Sequence, residues 1–387
     1  MPVIDQIAAN ADEITSLRRD FHEHPEIGFQ ETRTSGIVAD RLRHWGVDEV
    51  HVEQGGTGVV GLIRGKHDST RRVGLRADMD ALPIHETTNL PFASKNPGVM
   101  HACGHDAHTA MLLGAAKYLA ETRDFAGTAV LIFQPAEEGL GGARRMIEEG
   151  LFDKFSCDEI YSIHNDPMSP MGQVNVTPGP AMAGASFFDI TVTGTGSHAA
   201  MPQDARDALV AASALVGALQ TIVSRNTAPL KALVLSVTQI HAGAAYNVVP
   251  ETATLAGTIR YFDDDVAEMA HRRMREICDG FAAMHGIEVN LKVRKVFDVM
   301  VNDPARSADY IDAAREIVGA DASISDKRAT GSEDFADMLR VVPGAYCTIG
   351  HGSGVPVHNP AFTLDEAVLP LGASVMARIV ERRLAAG

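Results

Sequence analysis

Apolar positions recur first at helical and then at strand-like spacings along the chain. Ile7, Ile14, Leu17 and Phe21 fall seven, three and four positions apart, on one face of an opening helix. After it come short apolar runs that end in polar residues, at 73–80 (VGLRADMD), 127–138 (GTAVLIFQPAEE) and 158–165 (DEIYSIHN), with helical patterns at 106–121 and 141–149 between them. This alternation predicts an α/β fold, a mostly parallel sheet with helices on both faces. In such sheets ligands gather beyond the carboxyl ends of the strands, where Asp78, Asp80, Glu137, Glu138 and His164 would emerge.

From residue 184 the pattern changes. SFFDITVTG reads as a strand, DARDALVAASALVGALQTIVSRN as a long helix, ALVLSVTQIHAG and ETATLAGTIRYFD as two strands, 264–285 as a second helix and IEVNLKVRKV as a last strand. The order β-α-β-β-α-β is that of a ferredoxin-like unit. Helical and strand patterns then resume at 307–318, 345–350 and 365–384. The chain is therefore expected to build a discontinuous first domain, 1–183 and 294–387, interrupted by an inserted ferredoxin-like α+β domain, 184–293.

Composition narrows the function. The chain has 387 residues, too many for one ordinary core, and 45% of them are hydrophobic. Its 34 Lys+Arg against 50 Asp+Glu give a formal charge of −16, which disfavours phosphate backbones and anionic bilayers, so no nucleic-acid or membrane partner is expected. The N-terminus has no apolar h-region behind a basic start, and no later run reaches the roughly 18 apolar residues of a membrane span; the expectation is a cytoplasmic protein. Cys103, Cys157, Cys278 and Cys347 are too scattered to suggest a disulfide framework, and all but Cys103 read as small core residues.

Cys103 lies in HACGHDAH, with His101, His105, Asp106 and His108, just before a helix. A helix N-terminus favours the thiolate, the form that binds metal or attacks a carbonyl. Three readings stand: a buried cysteine with helix-capping histidines, a Cys/His nucleophile pair, and metal ligation. Other ligand types at strand ends favour the third. In QPAEEG, one of Glu137 and Glu138 can hold a metal while the other stays free to move protons. His164 closes a buried strand, and His358 lies in the Gly- and Pro-rich loop HGSGVPVHNPAF, which begins with His351. A thiolate, three imidazoles and a carboxylate, with one carboxylate spare, suit zinc; manganese, cobalt and nickel are chemically compatible.

With these stretches in place, the chain resembles the M20 family of metal-dependent amidohydrolases and peptidases. The similarity is to its branch of hippurate hydrolases, N-acyl-amino-acid amidohydrolases and indole-acetyl-amino-acid hydrolases. It runs through LRRDFHEHPEIGFQE, GLRADMDALPI, MHACGHDAHTAM, FQPAEEG, GSHAAMP, QIHAGAAYNVVPE, GTIRYFD, GSEDF and HNPAF. The resemblance implies a site for two divalent metal ions per subunit, with ligands at Cys103, His105, Glu138, His164 and His358 and the cysteine bridging. It makes Glu137 the general base, and it leaves open whether Asp78 or Asp80 touches a metal or only orients ligands. It further implies that the inserted domain is a lid through which the protein forms a homodimer or higher homo-oligomer. On that domain His198 would donate to the reacting carbonyl oxygen, within its own subunit or across the dimer, and Asn247 and Arg260 would lie near the substrate carboxylate.

The expected function is hydrolysis of the amide bond of small N-acyl- or N-aroyl-amino acids by metal-activated water. The alternatives are a dipeptidase on the same scaffold, a hydrolase using Cys103 as covalent nucleophile, and a non-catalytic ligand-binding member of the fold. Gln203 after MP, HNDP after His164 and Ser332 in GSEDF depart from commoner patterns of the family and bear on the substrate pocket.

Overall fold

A computed structural model describes residues 3–386. These residues form two compact units, one built from the chain up to Gly179 with Val301–Lys327 and the segment from Glu333 onward, the other from Pro180–Met300 with Arg328–Ser332. Relative to the expected insertion at 184–293, the second unit begins earlier, ends later and takes in Arg328–Ser332.

The first unit is a three-layer α/β structure around an eight-stranded sheet. From one edge the strands run Glu49–Gln54, Gly58–Arg64, Ala126–Gln134, His67–Asp78, Glu159–Asp166, Gly344–Gly350, Val174–Val176 and Ala322–Ile324. The central strands Ala126–Gln134, His67–Asp78, Glu159–Asp166 and Gly344–Gly350 are mutually parallel. The hairpin at one edge and the pairing of Gly344–Gly350 with Val174–Val176 are antiparallel. The parallel strands are buried along VGLRAD, the second half of His67–Asp78, and along nearly all of Ala126–Gln134, as their near-continuous apolar reading requires of a sheet covered on both faces. Because they run the same way, Gln134, Asp78, Asp166 and Gly350 all end at one edge of the sheet.

The expected opening helix forms as two, Asp5–Ala9 and Ala11–Glu23, broken at Asn10, and Ile7, Ile14, Leu17 and Phe21 are all buried. Helix His105–Thr122 starts at Gly104, whose φ of 90° supplies a left-handed entry, and is buried along most of its length. Helix Val368–Arg383 packs on it so closely that a Cβ on Gly372 would sit 2.2 Å from Met111 Sδ. A second anchor lies at the other end of the sheet. Buried Glu159 there accepts from Arg71 and Arg383 (each 2.9 Å) and from Arg306.

The second unit is a four-stranded antiparallel sheet in the order Leu233–Ala242, Thr252–Tyr261, Gly184–Thr193, Glu288–Phe297, with helices Ala208–Thr221 and Asp264–His285. This is the ferredoxin-like order, with the connections of two β-α-β halves. Ala208, Ala211, Ala212, Leu215, Leu219 and Ile222 pack into its own core. The stretch Ala208–Asn226, within the long helix expected there, is long and apolar enough to cross a bilayer by length and composition, which corrects the expectation that no run reaches that length.

Candidate active site

The strand exits deliver the ligand-type residues, and backbone and carboxylate acceptors aim them. His105 Nδ1 donates to the Asp80 carbonyl oxygen (2.9 Å) and lies 3.2 Å from Asp80 Oδ1, so in the neutral ring the lone pair is on Nε2. The other Asp80 carboxylate oxygen accepts the Glu138 amide at 3.0 Å. Asp78 takes His108 Nδ1 (2.7 Å), the Arg76 guanidinium (2.7 Å) and, on its carbonyl, Thr109 Oγ1 (2.8 Å). Both aspartates thus hold ligand-bearing segments in place. His164 Nδ1 donates to the Asn165 carbonyl (2.7 Å), which leaves Nε2 facing Cys103 Sγ at 3.4 Å. Asn165 itself donates to the Cys103 carbonyl (2.6 Å) and, from its amide, to His108 Nε2 (3.0 Å). His358, at φ 63°, is pinned by its amide to the Ala102 carbonyl (2.8 Å).

These constraints gather the five expected ligands into two groups with a common member. The ligand atoms of Cys103, His105 and His164 lie within 4.8 Å of one another, and so do those of Cys103, Glu138 and His358. Glu137 belongs to neither of these two groups, although it forms others with His105 and Glu138 and with Glu333 and Asp334, and it sits 4.0 Å from His105 Nε2, as does Glu138. The donor set fits divalent cations on its own terms. Buried His105 Nε2 and Glu138 Oε1 find no hydrogen-bond partner among the described residues, although His358 Nε2 stands 3.2 Å from the latter. Buried polar atoms left unsatisfied cost free energy that a coordinated ion offsets.

Electrostatics point the same way. Burial pushes the Cys103 thiol up to about 12, so the thiolate is stable there only beside a cation. A reactive cysteine nucleophile needs the opposite shift. Burial, then the His108 charge, drive His164 well below the usual imidazole range and keep it neutral, as a ligand must be. On His105 burial opposes the charge, but Asp78, Cys103 and Asp80 outweigh it and raise its pKa well above the ordinary value. Glu137 is raised well above the carboxylate range by burial and then by Glu333, Glu138 and Asp334. The site is short of positive charge, and a pair of divalent ions would supply it.

The buried guanidinium of Arg76 had no role in the sequence reading. It donates to Gln134 (2.8 Å), Asp78 (2.7 Å), Glu333 (2.9 Å) and Asp334 (3.1 Å), while the Asp334 amide reaches Glu137 Oε1 at 3.3 Å. The available signals were a charged residue inside the apolar strand VGLRAD and the quoted but unassigned GSEDF. Asp106, in the first turn of helix His105–Thr122, ties that helix to Ala11–Glu23. Burial disfavours its charge, but Arg18 Nε (2.8 Å) and His22 Nδ1 (2.8 Å) hold its carboxyl far below the usual range. His101 is buried with neither ring nitrogen bonded among the described residues, and burial lowers it to about 4.

On the second unit, His198 and Asn247 meet on a short ribbon. His198 pairs with Val248, and the Ala199 amide donates to the Asn247 carbonyl at 3.0 Å. The Ala200 amide donates to His198 Nδ1 (3.1 Å), so the neutral ring carries its proton on exposed Nε2. Arg260 lies on the Thr252–Tyr261 strand, half-buried, and donates to Ser332 Oγ at 2.7 Å.

Comparison with known proteins gives this geometry its context. The sequence pattern of peptidase family M20/M25/M40 matches residues 74–382. The hippurate hydrolase of Campylobacter jejuni is 39% identical over 385 residues, 99% of this chain and 100% of that protein. The N-acetylcysteine deacetylase of Bacillus subtilis is 38% identical over 369 residues, 95% of each chain. A solved structure of the Bacillus subtilis YXEP protein, described as a dinuclear metal-binding peptidase of the M20 family, is 34% identical. It covers 97% of this chain and 99% of its own, with a TM-score of 0.84. Sequence likeness over the whole length and a shared fold agree with the clustered ligand atoms, and the chain accordingly belongs to the M20 peptidase family as an amidohydrolase of the hippurate hydrolase and N-acyl-amino-acid deacetylase branch.

Proposed function

We propose that the chain hydrolyses the amide bond joining an acyl or aroyl group to an amino acid, using two divalent cations held by Cys103, His105, Glu138, His164 and His358. The observation that carries this reading is the pair of ligand groups sharing Cys103, with Glu137 beside them and committed to neither. The soft thiolate and the imidazoles favour zinc, and the carboxylate keeps manganese, cobalt and nickel compatible. Divalent cations, when bound, supply Lewis acidity for activating water and polarising the scissile carbonyl.

The side chains divide the remaining work. Glu137, almost fully buried, takes the proton from the attacking water as the carboxylate and returns it to the departing amine nitrogen. His198 offers its Nε2–H to the carbonyl oxygen as negative charge develops there. Asn247 and the Arg260 guanidinium recognise the carboxylate of the amino-acid half, a task for which a planar fork of donors is suited. The second unit acts as a lid. It also carries the homodimer contact, supported by the unpaired edge strand Leu233–Ala242 and the uncharged exposed positions Leu209, Val210, Ser213, Ala214 and Gly217 of the neighbouring helix. Light scattering that returned the mass of a monomer at micromolar concentration would remove the dimer.

The substrate class follows from what hippurate and N-acetylcysteine, the compounds in the relatives' names, share as N-acyl amino acids. A hydrolysis panel varying the acyl half (acetyl, benzoyl, indole-acetyl, longer chains) and the amino-acid half independently tests it on metal-loaded protein. At least one acylated or aroylated amino acid is expected to be cleaved with kcat/KM tenfold or more above unblocked dipeptides, about 1.4 kcal/mol of transition-state discrimination. Cleavage confined to dipeptides, or none at all, contradicts the reading.

A further inference from the structure

The stretch GFQE, residues 28–31, provides no ligand and no proton-transfer group, yet it ends in a glutamate that is fully buried. Glu31 stands at the N-cap of helix Thr32–His44, a position where a carboxylate commonly accepts the helix's free amides. It does not do so. That task falls to Glu26, whose carboxylate accepts the amides of Arg33 (2.9 Å) and Thr34 (2.8 Å). The Glu31 carboxylate turns instead to the exit of the strand that carries Glu137 and Glu138. Its Oε1 accepts the Ala136 amide at 2.9 Å, and its Oε2 accepts the Thr57 hydroxyl.

Ala136 is a strained residue at a decisive point. Its φ is +56°, the left-handed region that an L side chain occupies at a conformational cost and glycine does not. It is fully buried, and its carbonyl accepts the Gly142 amide at 3.0 Å. Gly28 backs it so closely that a Cβ there would lie 2.9 Å from Ala136 Cα and 3.0 Å from its Cβ. The left-handed step reverses the course of the chain after Pro135. Beyond it Glu137 is met by the Asp334 amide, and the Glu138 amide is met by Asp80. Strained backbone next to a reacting group persists when its surroundings over-determine it, and here those surroundings are Glu31 and Gly28.

We infer that Glu31 is a positioning residue for the hydrolysis: by holding Ala136 in the left-handed conformation it fixes the directions in which Glu137 and Glu138 leave the strand. This rests on the reading of Glu137 as base and Glu138 as ligand given above. A structural role alone would make Glu31 matter equally for any residue at position 136. A positioning role makes its importance depend on whether that residue is strained.

The test compares Glu31→Ala, Ala136→Gly and the double variant, using the best substrate of the panel and metal affinity measured by chelator competition, with Glu137→Gln as control. Glu31→Ala is expected to lower kcat by about 30-fold, within the range caused by an ångström-scale misplacement, and to weaken metal retention, with KM changed by less than about threefold. Ala136→Gly alone is expected to stay within about threefold of the parent. Placed in the Glu31→Ala background, it should recover about tenfold in kcat, and metal retention with it, because glycine adopts the turn unaided. If Glu31→Ala does not fold, Glu31→Asp, which keeps the charge but shortens its reach to the Ala136 amide, takes its place with the same rescue expected. Undiminished kcat and metal affinity in the Glu31 variant, or no recovery of either in the double variant, overturns the inference. When Glu137→Gln is inactive in the same experiment, such a result removes the role of Glu31 alone; full activity of Glu137→Gln removes the underlying reading instead.

Discussion

Glu137→Gln is expected to lower kcat about a thousandfold while leaving the fold and the metal content unchanged. The substitution keeps the size of the side chain and an oxygen able to accept the Asp334 amide, which now lies 3.3 Å away. It removes only the capacity to take up a proton. General acid–base groups contribute about 10²–10⁴-fold, and a residue acting first as base and then as acid belongs at the upper end. The environment suits both halves of the cycle. Burial and the neighbouring Glu333, Glu138 and Asp334 raise the affinity of Glu137 for a proton, so its carboxylate, when kept ionised by the positive charge of divalent ions, accepts one readily. Because Glu137 lies outside both ligand groups, metal content should hold at the parental value. Turnover within tenfold of the parent at equal metal content would show that the proton moves elsewhere.

Arg76→Met is expected to destabilise the metal-free protein by about 3–5 kcal/mol, the usual consequence of leaving buried charge uncompensated. Arg76 is 1% exposed and is the cation shared by Asp78, Glu333 and Asp334. Methionine fills a similar volume but leaves these carboxylates facing one another. For a unit of this size such a loss corresponds to a fall of about 10 °C in the melting midpoint. Arg76→Lys should fall between the two, since an ammonium keeps the charge but cannot reproduce a planar fork reaching four partners. A melting midpoint for Arg76→Met within about 2 °C of the parent would mean that the acids are neutralised by other means.

Much of the fold could be read from apolar periodicity because the elements are long. Helix Asp264–His285 carries its start and stop in the sequence, with Asp264 and Asp265 in its first turn and Gly286 at φ 62° beyond its end. The strands Val174–Val176 and Ala322–Ile324 could not be read in this way. Three residues hold no period, and they are strands because Val174–Val176 finds Gly344–Gly350 and Ala322–Ile324 then adds to it at the sheet edge. The break at Asn10 was likewise invisible, since both short helices present the same apolar face. The ligand-type residues were legible for a chemical reason: cysteine, histidine and paired glutamates at the ends of apolar strands are costly to bury without a purpose. The groups that hold them were not. Arg76 makes sense only when Glu333 arrives from 257 positions further along the chain, and Glu31 only when Ala136 does from 105. Such long-range pairings leave no local pattern, only a charge in an apolar strand or an acid before a helix.

The central claim is that the five gathered side chains hold two metal ions on which hydrolysis depends. It is tested most directly by counting metal per chain, by elemental analysis, in active protein, in chelator-stripped protein and in Cys103→Ala. The account predicts two ions per chain in the active form, no turnover in the stripped form, recovery on adding back a divalent ion, and loss of both ions and activity in Cys103→Ala, because that thiolate belongs to both groups. Full turnover in protein shown to be free of divalent metal would contradict it.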